Sequence, residues 1–372
     1  VRSVCFPRCL HQAALFLLCK IPEFSGKNKK EGIFMKLHSH TNAIRWIALL
    51  LACLCVCFAV ACQSDAPENS TVSTTTSTPS TPDTPKDKTS LRLIGLKGPT
   101  GMGMTELVSS GSAHFDLKFT LCAKPTDVTP LIVKGDYDIA AVPVNLAPTL
   151  YTKTNGALEI IAVNSLGVLY VMENGNTIQS FADLAGKDIY YFGQGSTPEY
   201  VLRYLLSKNQ VEANLIAVTD QEELVTKLAA NQTAIGVLPE PSVTSALLNA
   251  QKSENAALRV ALNLTAEWDK VADNGSRLVQ GCLVVRKGFL ESVGAEVIAQ
   301  FLTEYAASVE YVTSHIDEAA GKMETLGIVP KAAVAKKALT NLGGSICAYT
   351  GTEMKAMLAP MFTILHTANP AS

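Results

Sequence analysis

The chain has 372 residues and is 48% hydrophobic, but only 17% of it is charged, below the roughly 25% usual for soluble domains. Its 31 Lys+Arg nearly balance its 33 Asp+Glu, and the resulting net charge of −2 excludes a nucleic-acid binder that relies on a basic surface. The ten cysteines are unevenly spread: Cys5, Cys9, Cys19, Cys53, Cys55, Cys57 and Cys62 fall in the N-terminal quarter, leaving Cys122, Cys282 and Cys347. An odd set without CxxC spacing is neither a disulfide framework nor a zinc site.

Met35 opens a second start. The segment from Met35 to Arg45 is polar and basic, and Trp46 to Ala61 is an apolar run too short to span a bilayer comfortably, the order of a secretory signal peptide at 35–61. It ends in Ala59-Val60-Ala61-Cys62, which resembles the lipobox of bacterial lipoproteins; Cys62 is the expected acylated residue. Leu50-Leu51-Ala52-Cys53 competes, but cleavage there would strand the rest of the apolar run on the mature chain. An uncleaved anchor would hold the same domain at the same surface. Residues 1–34 are expected to lie upstream of the translated protein, because Lys30-Glu31-Gly32 can be encoded by a ribosome-binding sequence just ahead of the Met35 codon. Residues 62–90 form a Ser/Thr/Pro tract with almost nothing to bury, read as a disordered tether reaching on the order of 30 Å.

From Leu91 onward, strand and helix signals alternate. Strands are predicted at Leu91–Leu96, Phe115–Cys122 and Tyr137–Pro143, with helices near Met104–Ser110 and Thr126–Val133. Leu158 to Val171 is a long apolar stretch interrupted at Asn164-Ser165. Such alternation predicts an α/β protein with mixed, mostly parallel sheets flanked by helices. Ser180-x-x-Asp183 reads as a capping box closed by Gly186, and Thr219-x-x-Glu222 as another. Thr197-Pro198-Glu199 reads as a helix start with Thr197 at the cap, followed by the stripe Val201, Leu202, Leu205 and Leu206. Val293, Val297, Phe301, Tyr305 and Val309 predict one long amphipathic helix.

Catalytic signals are sparse. His114, His315 and His366 have no Cys, Asp or Glu at ligand spacing and read as surface residues, and neither G-x-S-x-G nor HExxH is present. Gly98-x-x-Gly101-x-Gly103 follows a strand but has the wrong glycine order for a dinucleotide fingerprint. Gly193-Gln194-Gly195-Ser196-Thr197-Pro198 is a second strand, glycine-rich loop and helix start. Two helix starts of this kind could offer backbone N–H groups to one ligand, either an anion or, given Tyr190, Tyr191, Phe192 and Tyr200 nearby, a flat heterocycle. The few arginines of this region weigh against a bare, doubly charged oxyanion.

The ordered series Lys97–Gly103, Gly135–Asn145, Leu184–Ile189, Gly193–Tyr200, Leu238–Ser242 and Gln280–Val285 resembles the nitrate/sulfonate/taurine (NitT/TauT) class of ABC-importer substrate-binding proteins, which share their fold with pyrimidine-precursor binders. The resemblance extends from about Leu91 to Pro370. It implies a two-lobed, type II periplasmic-binding fold: 91–165 plus 281–372 in one lobe, 166–280 in the other, with hinges at Asn164–Gly167 and Val279–Cys282. It further implies a ligand held among Pro99, Thr100, Gly101 and Met102, with Asn145 beside them. Gln194, Gly195, Ser196 and Thr197 would face these from the second lobe, edged by Glu240 and Gln280. Asn145 and Glu240 have an alternative as helix caps, and Gln280 as a partner of hinge backbone. The expected protein is a monomeric, lipid-anchored receptor delivering a small molecule to an ABC permease, without catalytic residue, cofactor or metal. An enzyme of the same fold acting on a pyrimidine or quinone precursor, and a ligand-sensing accessory protein, are the alternatives.

Overall fold

The computed structural model describes residues 88–230, 233–252 and 257–368. The expected leader, Cys62 and most of the tether lie outside the described residues. The first strand begins at Thr89, two residues before the expected Leu91, because Thr89 and Ser90 already pair with Phe115 and Asp116.

Two mixed sheets, each flanked by helices, organise the described chain. The first runs in the order β11-β4-β10-β3-β1-β2. Its strands are β1 (Thr89–Leu96), β2 (Phe115–Cys122), β3 (Ile139–Pro143), β4 (Leu158–Leu166), β10 (Val279–Arg286) and β11 (Ile346–Tyr349). The second runs β7-β6-β8-β5-β9. It contains β5 (Leu169–Asn174), β6 (Asp188–Phe192), β7 (Asn214–Val218), β8 (Ile235–Pro239) and β9 (Leu258–Asn263). The expected parallel character is confined to strands linked by helices within one lobe: β1 with β2 and β3, and β6 with β7 and β8. Strands that enter from or leave for the other lobe run antiparallel, namely β4, β10 and β5 with their neighbours.

The chain changes sheets at Gly167–Val168, between β4 and β5, and returns after the helix Leu264–Val271 into β10. Asn164 and Ser165, read as an interruption of the apolar stretch, instead lie fully buried inside the continuous strand β4, just before the crossover, and Ser165 pairs with Gly281. Val279 to Cys282 likewise belong to a paired strand. Two polar side chains are tolerated there because they find partners: Asn164 Nδ2 donates to the Thr100 carbonyl at 2.9 Å, and Ser165 Oγ to Asn164 Oδ1 at 3.4 Å.

Local sequence chemistry places most helices. The box at Ser180 and Asp183 caps a single 3₁₀ turn, Phe181–Leu184. The next box is shifted by one residue from expectation. Asp220 accepts from the Glu222 and Glu223 amides, while the Glu223 carboxylate takes the Thr219 N–H at 2.8 Å. The predicted long C-terminal stripe is divided at Gly294, so Val293 ends one helix and Ala295–Ser314 forms the next, burying Phe301, Tyr305 and Val309.

One apolar cluster covers a face of the first sheet and another a face of the second, while a third runs through both lobes by way of Leu166, Leu169, Leu278 and Val279. The helix Gly351–Ala368 adds Met354, Leu358, Met361, Phe362 and Leu365 to this shared cluster, packing on β4, β10 and the second-lobe helix Thr197–Asn209. Each such side chain contributes about 1.5–3 kcal/mol by leaving water, so the C-terminal helix ties the two lobes together.

Candidate functional site

The carboxyl ends of four parallel strands carry the predicted site residues. β1 leads into Gly98 and the short turn of helix Pro99–Met102, β3 into Asn145, β6 into the loop at Gly193, and β8 into Glu240. The amino end of β10 lies at the same edge, because Val144 N–H donates to the Gln280 carbonyl at 3.0 Å. Ligands of open α/β sheets sit where such strand ends meet helix starts.

The loops meet in pairs across the two lobes. Asn145 Nδ2 donates to the Gly195 carbonyl at 3.0 Å, and Thr197 Oγ1 donates to Asn145 Oδ1 at 2.8 Å. A Cβ at Gly98 would stand 3.7 Å from the Pro241 ring, so the β1 and β8 loops are also in contact. The Glu240 carboxylate, fully buried, accepts from Asn341 Nδ2 at 2.8 Å, reaching the first-lobe helix Ala332–Leu342.

Asn145 occupies the cap position of helix Leu146–Lys153, yet its side chain makes no capping bond; its amide is spent on the opposite lobe. Glu240 combines both readings, since it also accepts from Thr244 N–H at 3.1 Å and Thr244 Oγ1 at 2.9 Å at the start of helix Ser242–Lys252. Pro99 and Thr100 are half-buried, whereas Met102 is fully buried in the core with Met104 and Tyr305. Gly101 is required by backbone contact alone: a Cβ there would lie 2.1 Å from the Leu96 carbonyl oxygen.

In the second lobe, Ser196, one residue before the expected cap, takes the cap position of helix Thr197–Asn209. Its Oγ turns back to donate to the Phe192 carbonyl at 2.9 Å. Gln194 and Gly195 are exposed and Thr197 is buried. The Gly195 N–H, expected to face a ligand, donates to Glu199 Oε2 at 2.8 Å, and Ser196 N–H donates to the Gly193 carbonyl. Burial alone would raise the Glu199 carboxyl, but the Gly195 amide and the Arg203 guanidinium at 2.8 Å outweigh it and hold the pKa below the usual carboxylate value. Gln194, Gly195, Glu199, Tyr200, Arg203 and Ala368 line a cavity of about 300 Å³ beside this loop. Tyr191 and Tyr200 are themselves almost completely buried, so the expected aromatic platform is mostly core.

Three participants escaped the sequence reading. Asn164 carried a signal, a polar residue in an apolar run, that was taken for a break. Glu199 belongs to the recognised helix start, but its bond to the Gly195 amide has no local signal. Asn341 offers no local signal at all, since its role depends on Glu240 101 residues away. Elsewhere, His114 pairs with Glu304 at 2.5 Å, and His315 stacks on Tyr311. Among the described residues no group of three or more His, Cys, Asp or Glu side chains could hold a metal ion, and no helix is long and apolar enough to cross a membrane.

The family model described as NMT1/THI5 like matches residues 112–319, more than half of the chain and most of both sheets. The chain belongs to the NMT1/THI5-like family. No curated protein matched the sequence significantly. Among solved structures, an ABC transporter from Parabacteroides distasonis is similar at 20% identity and a TM-score of 0.63, over 76% of this chain and 94% of that one. The periplasmic aliphatic sulphonate binding protein SsuA from Escherichia coli is similar at 15% identity and 0.59, over 76% and 94%. The alkanesulfonate-binding protein SsuA from Xanthomonas axonopodis pv. citri, bound to MOPS, is similar at 13% identity and 0.53, over 77% and 96%. This member of the NMT1/THI5-like family therefore has the periplasmic-binding fold, two α/β lobes whose loop-bearing edges face each other.

Proposed function

We propose that this protein is the extracytoplasmic solute-binding component of an ABC importer, closing its two lobes on a small molecule and presenting it to a permease. The observation that carries the reading is the pair of hydrogen bonds at Asn145, which donates to the Gly195 carbonyl and accepts from the Thr197 hydroxyl, joining strand-end loops of opposite lobes at the edge where ligands of such sheets bind. The family, and the ABC transporter and periplasmic sulphonate binding protein among the similar structures, support it. The lobes are 91–165 plus 281–372 and 166–280, and Pro99, Thr100, Asn145, Gln194, Ser196, Thr197, Glu240 and Gln280 are the residues placed to surround the solute. The protein binds rather than transforms its ligand and acts as a monomer. It is tethered to the outer face of the cell membrane by acylated Cys62 after removal of residues 35–61.

The test is native mass spectrometry of protein purified without denaturation, followed by thermal-shift screening with whatever co-purifies. A small molecule that raises the melting temperature in proportion to its concentration is the expected result. Protein that carries no small molecule, from a genome whose neighbouring genes encode neither permease nor ATPase, would refute it. For the anchor, Cys62→Ala should move the protein from the membrane to the soluble fraction, and peptides from Val1 to Phe34 should be missing from the precursor.

A further inference from the structure

Three acceptor side chains, Gln280, Glu240 and Glu199, belong to the strand-end segments where the lobes meet. Gln280 Oε1 is buried without a hydrogen-bond partner, although buried polar atoms are nearly always paired. The Glu240 carboxylate is fully buried and takes only neutral donors, from Thr244 and Asn341, with no ion-pair partner among the described residues. On the facing lobe, the Glu199 carboxylate already occupies the Gly195 amide at the positive end of helix Thr197–Asn209. That amide is where an anionic head group would otherwise be received. Arg203, which could compensate an anion, is committed to Glu199.

We propose that the solute site selects a neutral or cationic head group that donates hydrogen bonds, with Gln280 as acceptor, and that it rejects oxyanions such as sulfonates. The inference rests on the solute-binding reading and specifies its ligand class. An N–H or O–H donor satisfies the orphaned Gln280 oxygen, and a positive or neutral head experiences no repulsion from Glu199 and Glu240. A sulfonate supplies only acceptors and negative charge, leaving the Gln280 oxygen unpaired at an edge where the nearby cation, Arg203, is already paired with Glu199.

A series sharing one flat ring and differing in the head group separates the two outcomes: benzamide, benzamidine, benzoate and benzenesulfonate, measured by calorimetry and thermal shift on the purified protein. Benzamide or benzamidine should bind at least 100-fold more tightly than benzenesulfonate. Gln280→Leu should weaken the better of the two tenfold or more, with the melting temperature of the free protein unchanged. Glu199→Gln, which keeps an acceptor for Gly195 and removes the charge, should narrow the preference over benzenesulfonate at least fivefold. Equal or tighter binding of benzenesulfonate would overturn the ligand class and leave solute binding intact. Failure of all four compounds to bind at millimolar concentration would also overturn it, while the co-purification experiment, which uses none of them, decides separately whether the protein binds a solute.

Discussion

Thr197 Oγ1 donates a 2.8 Å hydrogen bond to Asn145 Oδ1, joining two loops that lie 52 residues apart in the chain and on opposite lobes. With the bond from Asn145 Nδ2 to the Gly195 carbonyl, one side chain fastens the glycine loop of the second lobe to the first. A net hydrogen bond is worth about 0.5–1.5 kcal/mol, so losing both shifts an open–closed equilibrium by roughly tenfold or more. Asn145→Ala should therefore increase the radius of gyration measured by X-ray scattering and weaken ligand binding about tenfold. Thr197→Val, which removes one of the two bonds, should do less. Unchanged scattering in Asn145→Ala would show that the latch does not hold the lobes.

Asp138 is the electrostatic centre of the first lobe's far end. Arg92 and Arg286 both reach its Oδ1 at 2.9 Å, and their guanidinium groups also donate to the Tyr137 carbonyl. Removing one member of a buried, multiply bonded charge group leaves the others uncompensated. Asp138→Asn should lower unfolding stability by about 3 kcal/mol, read from urea denaturation, with ligand affinity little altered because the group lies on a sheet edge remote from Asn145. A midpoint equal to that of the parent protein would contradict this account.

Gly281 admits no side chain. A Cβ there would meet Asn164 Oδ1 at 2.6 Å, Ser165 Oγ at 2.7 Å and the Thr100 methyl at 3.1 Å. Because β10 is central in its sheet and cannot shift freely, Gly281→Ala should cost about 1–3 kcal/mol and disturb the Asn164 bond to the Thr100 carbonyl. The expected signature is a lower melting temperature together with faster amide exchange in the Pro99–Met102 turn. A melting temperature within error of the parent would show that this turn yields easily.

Acid should loosen the protein in a defined direction. Burial would raise the Asp138 carboxyl, but the arginine hydrogen bonds prevail and hold it below its ordinary value; Glu199 is lowered likewise. Groups whose folded pKa is depressed contribute stability that is complete above their unfolded pKa, about 3.9 for Asp and 4.3 for Glu, and is lost as pH falls through the lower folded value. The melting temperature should owe little change to these groups between neutral pH and about 5 and fall below about 4. Asp138→Asn should flatten that acid limb, and an unaltered limb would assign it to other carboxylates.

Much of the fold is legible in the residues themselves. The runs Leu91–Leu96, Phe115–Cys122 and Tyr137–Pro143, the box at Ser180 and Asp183, and the stripe through Leu205 and Leu206 each state their conformation within a few neighbours. The site was half legible. The glycine loops and Asn145 stand where strands end, and that pattern is local. Met102 was misplaced because a methionine beside a glycine turn looks the same whether it faces a cleft or the core; the packing of Tyr305 against that turn decides it. Thr197 was read as a cap, but Ser196 holds that position and frees the threonine hydroxyl for Asn145.

The residue order alone determined the alternation of strands and helices, the positions of the turns and which segments could enter a core, because periodicity, caps and glycine act over a few residues. Only tertiary structure decided which loops meet, that Glu199 occupies the Gly195 amide and that Glu240 is held by Asn341. Those contacts join groups brought together by two chain crossovers and a shared apolar core, and a hydrogen bond depends on distance and direction in space, which no local pattern encodes.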